Sequence, residues 1–122
     1  MTKGLGNDII EIERIRKTIE RHGPHFYQKI FTEQEIEYCL KHQDPALPFA
    51  GRFSAKEAIA KALGTGFGKH ISFSDITIVN DEHGRPYPIF SERFNQLFES
   101  PKILISISHC KSYATAVAVW VA

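Results

Sequence analysis

Isoleucines at positions 12, 15 and 19 recur at spacings of three and four, which predicts a helix with one narrow buried stripe, ended by Gly23-Pro24. Upstream, Gly4 to Ile10 is short, apolar and interrupted by glycine, and predicts a strand opening into a turn at Asn7 and Asp8. Thr32-Glu33-Gln34-Glu35 has the form of a capping box, and Ile36 and Leu40 carry a short helix onward from it. Pro45 and Pro48 mark a loop or the first turn of the next helix, which runs through FAGRFSAKEAIAKALG. On that helix Ala55, Ile59, Ala62 and Leu63 share one side, Phe53, Glu57 and Lys61 share another, and Gly64 ends it.

Beyond the glycine-rich GTGFGK, Ile76 and Ile78 alternate with polar residues, and NDEHG followed by RPYPI predicts a hairpin with Gly84 at positive φ. A short helix is expected around Ser91 to Phe98. Ile103, Ile105 and Ile107 then alternate along a strand that turns near His109 to Ser112. The last strand sets a bulky face (Tyr113, Thr115, Val117, Val119, Val121) against a small one (Ala114, Ala116, Ala118) ending in Trp120. A row of alanines admits close approach of a helix or of another subunit's sheet. The class this predicts is α+β, one domain over residues 1–122, with an antiparallel sheet packed by helices.

Composition narrows the function classes. With 43% hydrophobic and 24% charged residues the chain is of ordinary globular type. Fifteen basic and fourteen acidic side chains leave a net charge of +1, so no global attraction to nucleic acid or to an anionic membrane is expected. No segment approaches a membrane span in length, and Cys39 and Cys110 have no zinc-ligand spacing and read as reduced thiols, so a cytoplasmic protein is expected.

Several residues are candidates for chemistry, each beside a plainer role. Asp8 at the end of a strand is an Asx-turn residue or a metal ligand. Glu57 is a capping-box partner of Ser54, an i,i+4 partner of Lys61, or a second ligand beside Asp8 to Mg²⁺, which takes a few carboxylates and keeps several waters. Lys61, one turn on, would then stand beside the same phosphates. GTGFGK lacks the spacing of a nucleotide phosphate loop and is a helix cap and turn, or a flexible connection that lets a phosphate lie close to backbone. His109 is a structural hydrogen-bond partner or a ligand contact, and the remaining histidines have no metal-ligand spacing. Arg14, Thr18 and Arg21, with Lys17 alongside, form a basic strip opposite the isoleucines, either solvated or complementary to an acidic partner helix.

GLGNDIIEIERI near the start, RFSAKEAIAKALGTG in the middle, and SISHC with YATAVAV near the end together resemble the holo-acyl-carrier-protein synthases, in the right order over nearly the whole chain. The resemblance implies a 4′-phosphopantetheinyl transferase-like fold. It also implies a Mg²⁺-dependent reaction in which an acyl carrier protein serine attacks coenzyme A and adenosine 3′,5′-bisphosphate leaves, in support of fatty acid biosynthesis. By motif, Asp8 and Glu57 fall on metal-ligand and catalytic positions, and Lys61 on the lysine near the pyrophosphate. Arg52, Gly64, Gly66 and His109 fall on coenzyme A positions, and Arg14, Lys17 and Arg21 on the helix that docks the carrier. The resemblance further implies a homotrimer with active sites at subunit interfaces. Two other functions use the same residues: a hydrolase of a coenzyme A-like pyrophosphate, and a noncatalytic module that binds coenzyme A or docks a protein.

Overall fold

The computed structural model describes all residues, 1–122. Its centre is α4 (Ala46–Leu63), laid across a three-stranded antiparallel sheet in the order β1 (Thr2–Glu11), β5 (Tyr113–Val121), β4 (Lys102–His109). Helices α1 (Ile12–His22), α2 (Pro24–Ile30) and α3 (Glu33–Leu40) precede it. After it come a single 3-10 turn (Phe73–Asp75), the hairpin β2 (Ile76–Asn80) and β3 (Pro86–Phe90), and α5 (Glu92–Phe98). No helix is long and apolar enough to cross a membrane. The α+β class and the antiparallel pairing are as expected.

Residue size explains how closely helix and sheet approach. A Cβ on Gly4 would lie 2.0 Å from the Ala62 carbonyl oxygen, and one on Gly6 would lie 2.0 Å from that of Ala58, so β1 contacts the α4 backbone directly. Ala114, Ala116 and Ala118 are buried on the same face. The alanine row is therefore taken by a helix of the same chain, and another subunit's sheet has no access to it. The opposite face carries Leu5, Ile9, Leu104 and Val117, of which Leu5 is 67% exposed, Ile9 64% and Val117 40%.

Other local expectations hold or fail for identifiable reasons. The Thr32–Glu35 capping box forms, Gly84 adopts φ 81° at the hairpin tip, and Ser91 caps α5 by accepting from Phe94 N. Helix α1 ends at His22 as predicted, but Gly23-Pro24 also starts α2, with Pro24 at its first position, where a missing N–H costs nothing. The expected turn at Asn7 and Asp8 is absent. Strand β1 continues to Glu11, pairing Asn7 with Val117 and Asp8 with Ala116, so the Asx-turn role for Asp8 is excluded.

One core element had no counterpart in the hydrophobic pattern. Lys56 and Glu35 are fully buried, with Lys56 Nζ 2.7 Å from Glu35 Oε1 and donating to the carbonyls of Ile30 at 2.8 Å and Phe73 at 3.0 Å. The second Glu35 oxygen accepts from Ile78 N at 2.8 Å. All three ammonium protons have acceptors, the condition under which a buried ion pair is tolerated. Burial pulls the Lys56 pKa down, against the opposing pull of Glu35. This network ties α3, the end of α2, the 3-10 turn and β2 to the middle of α4, one residue before Glu57.

Candidate metal and phosphate site

Strand β1 and helix α4 bring Asp8, Glu57 and Lys61 together along one seam. Asp8 points inward from the strand, since Gly6, Asp8 and Ile10 share the helix-facing side. Its Oδ2 accepts from Ser54 Oγ at 3.2 Å, its Oδ1 lies 3.1 Å from Lys61 Nζ, and its backbone carbonyl accepts from Thr115 Oγ1 at 2.8 Å. Lys61 also donates to the Asn7 carbonyl at 3.0 Å. Ser54, expected in sequence only as a cap partner of Glu57, and Thr115, expected only on the bulky face of the last strand, both bond to Asp8. Only the β1–β5 register shows that Thr115 lies beside Asp8.

Both plain roles for Glu57 fail. Helix α4 begins at Ala46, which leaves Ser54 mid-helix with no N-terminal N–H to cap, and the ammonium of Lys61 turns to Asp8 and Asn7. The Glu57 carboxyl is pushed above the ordinary glutamate value, first by burial and then by the charge of Asp8, with Lys61 pulling the other way. A partly buried carboxylate whose ionisation a neighbouring carboxylate opposes, with lysine as the nearby cation, makes a donor set that a divalent ion would stabilise. No three metal-ligating side chains gather anywhere in the chain. This is compatible with Mg²⁺, which keeps waters and phosphate oxygens in its shell and rarely relies on an all-protein cage.

Gly64 takes the left-handed conformation at φ 78° and closes α4, with its own N–H bonded to Lys61 O and Thr65 N to Ala60 O. Gly66 follows in open space. The helix-cap role of this segment is therefore real. The glycines lie beside the Lys61 end of the seam.

Arg52 and His109 stand elsewhere. Nine positions at about 100° each place Arg52 and Lys61 on opposite sides of α4. Arg52 and His109 line a separate cavity of about 330 Å³ with Tyr38, His42 and Asn80. Within one chain the structure thus gathers Asp8, Glu57, Lys61 and Gly64 in one place and Arg52 with His109 in another. On α1, Arg14, Lys17, Thr18, Arg21 and His22 line a shallow depression of about 260 Å³, with no apolar residue in it.

A helix laid on an antiparallel sheet, with a carboxylate pair and a lysine at their seam, is the arrangement the chain presents for comparison with known proteins. Residues 4–118 match the 4′-phosphopantetheinyl transferase superfamily. The chain is 58% identical over 120 residues to a holo-[acyl-carrier-protein] synthase of Protochlamydia amoebophila, covering 98% of each. It superposes on the crystal structure of the Neisseria meningitidis holo-[acyl-carrier-protein] synthase with a TM-score of 0.93 at 30% identity, covering 100% of both chains. It superposes on the Helicobacter pylori holo-[acyl-carrier-protein] synthase in complex with coenzyme A with a TM-score of 0.87 at 35% identity, covering 96% of this chain and 99% of that one. The chain belongs to the 4′-phosphopantetheinyl transferase superfamily.

Proposed function

We infer that this chain is a holo-acyl-carrier-protein synthase, moving 4′-phosphopantetheine from coenzyme A to a serine of an apo acyl carrier protein and releasing adenosine 3′,5′-bisphosphate. The observation that carries the assignment to particular residues is the convergence of Asp8, Glu57 and Lys61 on one seam. In this reading Asp8 and Glu57 hold Mg²⁺. When bound, the ion supplies neutralisation of charge on the pyrophosphate oxygens. Ser54 and Thr115 fix Asp8 in place by the hydrogen bonds described above. Lys61, more than half exposed, carries a positive charge that can turn from Asp8 to a phosphate oxygen. Gly64 and Gly66 leave room for the ligand beside that charge.

Arg52 and His109 belong to coenzyme A recognition in the same reading, and their distance from Lys61 within one chain calls for a second copy. The outward sheet face offers the contact. Leu5 pairs with Val119 and Val119 with Leu104, an apolar row crossing all three strands, and Asn7, Val117 and Ser106 form the next. A homotrimer joined through this face would set Arg52 and His109 of one copy toward Asp8, Glu57 and Lys61 of the next. Arg14, Lys17 and Arg21 form the surface for the acidic carrier. In the same reading the reaction runs in the cytoplasm, in the service of fatty acid biosynthesis.

Intact-mass spectrometry of an apo acyl carrier protein incubated with the chain, coenzyme A and Mg²⁺ tests the reading. A gain of one phosphopantetheine, lost when EDTA is added, is expected. A competent carrier left unmodified while coenzyme A is cleaved would assign the hydrolase, and one left unmodified with coenzyme A intact but bound would assign the noncatalytic module.

A further inference from the structure

We propose that Tyr38 is a positioning residue for coenzyme A recognition: it holds the guanidinium of Arg52 toward the cavity shared with His109, and Asn80 fixes Tyr38 in turn. The proposal rests on the reading above that Arg52 meets coenzyme A. Arg52 is only 5% exposed, forms no ion pair with any carboxylate of the chain, and has a buried Nε without a hydrogen-bond partner. A buried guanidinium needs something to set its direction, and no carboxylate of the chain does so for Arg52. Here the anchor is aromatic. The Tyr38 ring centroid lies 4.2 Å from Arg52 Cζ, and a cation over a ring face is held without any of its N–H donors being used. Those donors stay available to an anionic group such as a phosphate of coenzyme A.

The ring is itself held from three directions. Asn80 Nδ2, at the end of β2, donates to the Tyr38 hydroxyl at 3.0 Å. The His42 ring packs 4.7 Å away, and its Nδ1 lies 3.0 Å from the Tyr38 carbonyl oxygen. Helix α3, which carries Tyr38, is fastened to α4 through the buried Glu35–Lys56 pair. Tyr38, Arg52 and Asn80 come from three different elements and line the same cavity as His109. An arginine that faces a ligand is thereby set by packing before the ligand arrives, which lowers the ordering cost of binding.

The test is steady-state transfer with coenzyme A and apo carrier varied separately, in Tyr38→Leu, Tyr38→Phe, Arg52→Ala and the double variant Tyr38→Leu/Arg52→Ala. Tyr38→Leu is expected to raise KM for coenzyme A about tenfold while KM for the carrier moves less than about twofold. Tyr38→Phe, which keeps the ring and loses only the Asn80 bond, should stay within about threefold of wild type. In the Arg52→Ala background the leucine substitution should add little, because its effect runs through Arg52. The proposal is overturned, with the coenzyme A reading intact, if Arg52→Ala raises KM for coenzyme A and Tyr38→Leu does not. It is also overturned if Tyr38→Leu raises both KM values alike, which marks a general structural loss. If Arg52→Ala itself leaves KM for coenzyme A unchanged, the underlying reading of Arg52 fails and the proposal with it.

Discussion

Lys61 directs its ammonium across the helix–strand seam to Asp8, 3.1 Å from Oδ1, and not back along its own helix to Glu57 one turn away. The pairing places the lysine, the only cation at the seam, on the strand carboxylate. Glu57 is left to bear the cost of burial beside a second negative charge. That asymmetry gives each residue a separable role.

Removing the Glu57 charge should therefore affect turnover and metal-free stability in opposite directions. Glu57→Gln is expected to lower Mg²⁺-supported phosphopantetheine transfer by two orders of magnitude or more, about the scale of losing one preorganised electrostatic group. The same variant should melt no lower than wild type without Mg²⁺, because the raised carboxyl value means that ionised Glu57 opposes folding near neutral pH. Transfer at wild-type rates would remove Glu57 from the site. Thermal melts with and without Mg²⁺ check the second half.

Gly6→Ala should destabilise the fold and misplace Asp8 together. The added methyl would meet the Ala58 carbonyl oxygen at 2.0 Å, and backbone on both sides gives way poorly, so the cost should exceed the usual overpacking penalty of about 1–3 kcal/mol. Urea unfolding measures it. A variant as stable as wild type would mean that β1 and α4 separate easily and that the seam does not rigidly set the Asp8 carboxylate.

Asp75 supplies a pH dependence that does not involve the seam between β1 and α4. Burial alone would raise its carboxyl pKa, but hydrogen bonds from Ser72 N at 2.8 Å and Ser91 Oγ at 2.7 Å, with Arg93 beside it, hold it below the ordinary aspartate value. A depressed folded-state value stabilises the protein above the unfolded value and loses that contribution as pH falls through the folded one. Asp75→Asn should thus be less stable than wild type near neutrality, with the gap narrowing in acid below about pH 4. A gap that stays constant from neutral to acid pH would show that the Asp75 charge does not drive it.

What the sequence made legible follows from the range of the interactions involved. The α1 stripe, the Thr32–Glu35 box, the Gly64 cap and the Gly84 turn are set by residues within a few positions of one another, and each appears where expected. Asp8, Glu57 and Lys61 stand out as candidates from residue type and position, the motif resemblance supplies their roles, and the pattern around Asp8 predicts a turn where the strand in fact continues. A strand pairing at Asp8↔Ala116 is written in residues more than one hundred positions away. The same holds for Glu35, which fits its capping box locally while its other oxygen serves Ile78, and for Lys56, whose charge gives no hint in sequence of full burial. Gly4 and Gly6 read in sequence only as interruptions of a short strand, because a strand pattern does not show that a helix backbone will lie on it.

The two faces of the sheet meet different surroundings, and this gives a direct test of assembly. Alanines 114, 116 and 118 are covered by α4, whereas Leu5, Ile9, Leu104 and Val117 project outward from three adjacent strands. An apolar row across a sheet is costly to leave in water and is the kind of surface that identical chains bury against one another. Val117→Asp places a charge in the middle of that face, on the central strand, while its side chain points away from the α4 core. The variant is expected to elute as a single chain of 13.9 kDa by light scattering where the wild type elutes as three, with its circular dichroism unchanged. Transfer should fall with assembly, because Arg52 and His109 then have no neighbouring Asp8, Glu57 and Lys61 to face. A single-chain Val117→Asp protein with full activity would mean that one copy completes the site alone, and Arg52 would then have to act on a ligand that reaches around α4.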